Sequence, residues 1–169
     1  MKNTPKQGDE MTKQVEHEYS DKMIEAFIDK PEKTLWYRHA FSKFNVNGVD
    51  AMKWHWSWWA FFGSFFFLLY RKQYVPALVL FIASVTIGMV FPLSLVISIL
   101  AGGYSTYFIY KGYKKQLLEV EANVEDVQKR VDTMREIAGF HQWVIWLYAV
   151  ISIFFFGTFT FVLFGSFAR

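Results

Sequence analysis

The sequence predicts an all-α integral membrane protein: a short membrane-embedded helix, a transmembrane helical hairpin, a cytoplasmic amphipathic helix and a C-terminal transmembrane helix. Three observations predict it. Residues 73–110 contain no charged side chain. Neither do residues 137–168. Between them and the N-terminus lies WHWSWWAFFGSFFFLLYRK (54–72), four Trp in six residues and then a Phe run that ends on Arg-Lys. Apolar runs of this length are the signature of a bilayer span. A water-soluble domain would have too little polar surface to cover them.

The charges are unevenly distributed. Residues 1–53 hold nine Lys/Arg and nine Asp/Glu; most of the others fall at 71–72 and within 111–136. The net charge of +3 therefore reads as membrane-flank charge, and no nucleic-acid surface is expected. The absence of Cys excludes disulfides, thiolate metal sites and Cys nucleophiles. The first fifty residues lack an apolar signal core, so the mature chain is expected to begin at Met1.

Residues 1–53 form the first region, amphipathic and cytoplasmic. Its polar start, 1–13, is expected to be disordered. Val15, Tyr19, Met23 and Phe27 then recur at helical spacing, with Ile24 and Ile28 beside them. Pro31 stops that helix and suits the first turn of a second, with Glu32 near its N-terminus. Leu35, Trp36, Ala40, Phe41 and Phe44 give the second helix an apolar side, and 45–48 is a turn.

Residues 54–111 form the membrane region. Segment 54–70 is read as a short embedded helix, with Ser57, Ala60 and Ser64 on one small stripe. Residues 73–110 as one helix would extend about 57 Å against a core of roughly 30 Å, so they must fold back. TIGMVFP (86–92) supplies the break, leaving legs 75–90 and 92–110. Helix-packing positions are Ser84 and Gly88 on the first leg and Ser94, Ser98 and Gly102 on the second, since small residues at four-residue spacing let backbones approach. The interface residues are Trp54, Trp56, Trp58, Trp59, Arg71, Lys72, Lys111, Lys114 and Lys115, with Trp143 and Trp146 at the start of the last span.

Residues 112–141 are read as a cytoplasmic helix. Leu117, Val120, Val124, Val127, Val131, Met134 and Ala138 form a heptad seam. Glu125–Lys129 and Asp126–Arg130 are favourable pairs, and Gly139 is a C-cap. Arg130 would meet Arg135 of a parallel twin. The seam therefore fits an antiparallel partner or packing on the N-terminal helices. Residues 142–168 are the final transmembrane helix.

Three topologies follow. Segment 54–70 enters without crossing; or it crosses and strands Arg71-Lys72 outside; or it crosses within a four-span protein whose N-terminus is translocated. The first keeps 17 of 18 Lys/Arg inside and satisfies the positive-inside rule. Seventeen residues also make only about 26 Å of helix.

The stretches FNVNGVDAMKWHWSWWAFFGSFFFLLYRKQY and YFIYKGYKK resemble the small bacterial membrane proteins of the HrgC-like group, within a wider domain-of-unknown-function family. The resemblance covers roughly 36–146. It implies a bacterial inner-membrane protein and brings no catalytic residues.

No catalytic constellation accompanies these segments. His17, His39, His55 and His141 have no paired metal spacing, and no phosphate loop or nucleophile elbow occurs. The apolar segments lack ionisable Asp, Glu, Lys or Arg, which disfavours a coupled transporter. The expectation is a multi-pass inner-membrane protein with a cytoplasmic N-terminus, neither enzyme nor cofactor binder. Its partners would be the bilayer and a protein partner, or a second copy, through 117–138. The alternative is an oligomeric pore or small-molecule permease subunit lined by Ser84, Ser94, Ser98 and Thr106.

Overall fold

The computed structural model describes residues 7–46, 48–87 and 91–167, and these are mostly helical, with one hairpin of two two-residue strands. Gly88, the centre of the 86–92 break, Asn47 and residues 1–6 lie outside the described residues. The chain divides into two compact units, 1–56 with 104–140 and 57–103 with 141–169.

In the first unit, α1 (Gln7–Ile28) begins seven residues earlier than the disorder expected for 1–13 would allow. Once 15–28 is nucleated, extension adds a hydrogen bond per residue, and Gln7, Glu10, Met11 and Lys13 are good helix formers. Pro31 opens a 3-10 turn, Pro31–Lys33, that leads into α2 (Thr34–Phe44). Strands β1 (Asn45–Val46) and β2 (Val49–Asp50) then pair antiparallel. Gly48 takes a φ of 82° and donates its N–H to Asn45 Oδ1, which closes the turn.

Helix α5 (Phe91–Asn123) supplies its first part to the second unit and the remainder to this one. It continues past residue 110, where a membrane leg was expected to end. Helix α6 (Val127–Ile137) follows. The heptad seam is thus divided, and this corrects the single helix expected over 112–141. Asp126 caps α6 by accepting the Lys129 N–H at 2.8 Å. Arg130 turns back to donate to the Val124 and Glu121 carbonyls, the orphan acceptors at the end of α5. It is therefore not the i,i+4 partner of Asp126. Gly139, at φ 80°, ends α6 and donates its N–H to Phe27 O.

The core of this unit joins all four helices. Met23, Phe27 and Ile28 of α1 are buried with Tyr37, Phe41 and Phe44 of α2, Ile109, Tyr113 and Val120 of α5, and Val131 and Met134 of α6. Phe41 stacks on Tyr113 at 5.2 Å, and Phe27 meets the same ring edge-on. Half of the heptad seam is therefore consumed inside the chain: α6 packs on α1, as the N-terminal-helix alternative required.

In the second unit, α3 (Trp58–Tyr70) starts four residues later than expected, because Ser57 caps it by accepting the Ala60 N–H. It is also not one straight helix: Ser64 breaks it, with φ 44° and ψ −124°. Helix α4 (Tyr74–Thr86) follows a tight corner at Arg71 and Lys72, and α3 packs on both α4 and α7 (Gln142–Phe167). The close partner of α4 is thus α3; the expected hairpin mate, α5, faces α4 across a cavity. By length and composition, α5 and α7 can each cross a membrane. Thirteen residues give α3 and α4 only about 20 Å each.

Candidate functional site: a hydroxyl-lined cavity at the kink of α3

The kink places unusual groups inside an apolar bundle. A break at Ser64 removes backbone hydrogen bonds from the preceding turn, and in lipid a freed carbonyl needs another donor. Tyr148 of α7 supplies it, donating its hydroxyl to Phe62 O at 3.2 Å while its ring packs edge-on against Phe66. The Ser64 hydroxyl is buried and has no hydrogen-bond partner. A non-glycine residue at this φ is strained, and such strain collects at sites that use it.

Beside the kink lies a cavity of about 230 Å³ lined by Phe62, Gly63, Ser64, Phe65, Phe66, Ser84, Ser94, Ile97, Ser98 and Tyr148. Four serines and a tyrosine hydroxyl thus converge among aromatic rings. Ser84 spends its proton on Leu80 O at 2.7 Å, so it offers the cavity lone pairs. The lining is neutral, with acceptors and donors but no ionised group. It suits a small uncharged polar solute, or a weakly held cation, rather than an anion. Among the described residues no group of three or more His, Asp or Glu could hold a metal ion.

The expected packing positions meet here in part. Ser84, Ser94 and Ser98 line one space instead of closing helix on helix. The Gly102 carbonyl accepts the Ser57 N–H at 2.8 Å. Thr106, the fourth expected pore residue, is fully buried in the first unit. Sequence reading missed the kink and Tyr148. A Gly63-Ser64 pair in the middle of a Phe run was the available signal.

The interface residues separate into two groups. Trp54, Trp58, Trp59, Trp143 and Trp146 are exposed, and Trp56 is half-buried against Trp54. Arg71 is only 4% exposed and its guanidinium lies over the Tyr70 ring, so it is packed and not a free flank charge. Lys72, at φ 57°, is half-buried beside it. At the same corner the His141 N–H donates to Tyr70 O, and His141 Nε2 lies 2.6 Å from the Tyr74 hydroxyl. In the first unit Lys114 reaches Asp50 at 2.6 Å and Lys111 reaches it at 3.8 Å, leaving Lys115 exposed. The Lys114 ammonium and then the Tyr110 hydroxyl hold the Asp50 carboxyl below the usual carboxylate range.

Comparison of the chain with protein-family models, curated proteins and solved structures gives no match.

Proposed function

We propose that this chain is a multi-span protein of a bacterial inner membrane, a member of the HrgC-like group, that carries its first unit on the cytoplasmic side as an interaction or structural component of the membrane. The observation that carries the membrane reading is α7. Phe154, Phe155, Phe156, Phe159, Phe161, Val162 and Phe164 are 61–79% exposed and point to every side of the helix. A large apolar side chain left in water forgoes about 1.5–3 kcal/mol. Seven of them forgo as much as the ~5–15 kcal/mol that stabilises a whole domain. Lipid resolves this, and the helix is about 39 Å long, enough for a roughly 30 Å core.

In this reading α5 and α7 cross, and α3 and α4 enter together as a short pair beside them. The absence of Cys makes the test simple. Single Cys at Gln73, Phe91 or Ser166 is probed in intact cells with an impermeant thiol reagent. Labelling of Phe91 and Ser166, and not of Gln73, is expected. Labelling of Gln73 from outside overturns the topology, and release of the chain by alkaline carbonate overturns the membrane assignment. For the interaction role, single Cys at the exposed Leu118 and Val127 should give discrete crosslinked adducts in cells; unchanged mobility at both positions counts against it.

A second reading, a small-molecule permease subunit, is favoured by the serine-lined cavity. It requires uptake of a neutral polar solute into proteoliposomes that falls in Ser84→Ala and Ser98→Ala variants; silent vesicles dismiss it.

A further inference from the structure

We propose that the face formed by Trp36, His39, Lys43 and His55 is a seat for the phosphate headgroup of an anionic phospholipid, which holds the first unit against the bilayer surface. The inference rests on the membrane reading above and adds a specific ligand site to it.

Trp36, His39 and Lys43 fall at i, i+3 and i+7 of α2 and so share one side of that helix. The His55 ring stands edge-on to Trp36 at 4.9 Å and to Phe44 at 6.2 Å, which brings the chain after the hairpin onto that side. Burial first, and then the proximity of Lys43 and His39, hold the imidazole below its ordinary pKa. His39 and Lys43 are exposed on this face, and the half-buried His55 ring lies against Trp36 and Phe44 beside them.

The nearby carboxylates are already committed. Asp50, the one acid between residues 33 and 56, is clasped by Lys114 and Lys111. Asp21 pairs with Arg38. Among the described residues no carboxylate comes within ion-pair distance of Lys43. A basic cluster with no internal counter-ion attracts an external anion.

The surroundings select a lipid over a soluble anion. Trp36 is 41% and Trp54 50% exposed, and the facing hairpin residues Val46 and Val49 are exposed as a pair. Tryptophan rings settle at headgroup depth, and exposed valines favour the acyl boundary. In the sequence, the cluster directly precedes the apolar stretch 57–70. A phosphodiester at this place would accept from the Lys43 ammonium and from imidazole, with the indoles lying against the glycerol region.

The test uses the full chain in nanodiscs of phosphatidylcholine doped with a headgroup-photoactivatable phosphatidylglycerol. Peptide mapping should place the label within residues 34–56. The Lys43→Gln, His39→Gln double variant should lose label about fivefold or more, the factor for about 1 kcal/mol per surface cation removed. Lys43→Arg and the remote Lys115→Gln should retain it. Both substituted side chains are exposed, so circular-dichroism melting should be unchanged. Label spread evenly over all basic segments, or unaffected by the double variant, overturns the proposal. Displacement of the label by inorganic phosphate overturns the lipid assignment in favour of a soluble anion. Failure of the membrane reading would show separately, as a chain that never incorporates into the discs.

Discussion

The Tyr148 hydroxyl donates to the Phe62 carbonyl at 3.2 Å, two residues before the Ser64 kink. A side chain of α7 thus donates to the backbone of α3 beside the serine-lined cavity. Tyr148→Phe keeps the ring on Phe66 but orphans the carbonyl. A loss of about 1–3 kcal/mol is expected. It should appear as a lower melting temperature in detergent and faster amide exchange at 62–66. Unchanged exchange there would show that the bond contributes nothing.

The kink itself is open to substitution. Ser64 stands at φ 44°, which glycine adopts without a Cβ clash. Ser64→Gly should therefore stabilise the second unit or leave it unchanged. Ser64→Val, β-branched, should destabilise it by about 1–3 kcal/mol. Thermal melts of the two variants in the same detergent should move apart; a Val variant that melts with the parent would mean that α3 can straighten.

Asp50 should make the first unit acid-sensitive. Its folded pKa is depressed, chiefly by the Lys114 hydrogen bond. The stabilisation is complete above the unfolded value of about 4 and is lost as pH falls through the lower folded value. Asp50→Asn should lower stability at neutral pH and flatten the acid limb. Melting curves recorded from about pH 7 down to about pH 3 check this. A parent and variant that lose stability in parallel would remove the clasp from consideration.

Met134 is fully buried in the core shared by α1 and α6. Met134→Ala should cost about 2–5 kcal/mol through lost burial and the cavity left behind. Limited proteolysis should then cut within α6 while 142–167 stays protected in lipid. Loss of protection in both segments together would mean that the two units unfold as one.

Several elements were legible because local chemistry dictates them. Pro31 ended one helix and began the next turn. Asn45 and Gly48 made the hairpin turn, and Gly139 ended α6 with a left-handed residue. The long apolar helix α7 was legible from the missing charges alone. The candidate site was half legible: Ser84, Ser94 and Ser98 stood out as a small-residue pattern. What that pattern could not tell was whether the helices close on each other or leave a space. The kink beside that space is met by the Tyr148 hydroxyl, more than eighty residues away. The divided heptad seam failed for a related reason, since apolar spacing runs unbroken through 124–126 while Asp126 and Arg130 use their polar groups to end one helix and start another.

The sequence by itself determined that the chain is helical and that the stretch forming α7 is long and apolar enough to cross a membrane. Those properties follow from residue types and their period along the chain. Only the tertiary structure decided that Asp50 pairs with two of the three boundary lysines, that Arg71 is packed over the Tyr70 ring, and that among the described residues no carboxylate lies within ion-pair distance of Lys43. Charge pairing depends on which side chains arrive within a few ångströms of one another, and that distance is set by packing between segments far apart in the chain.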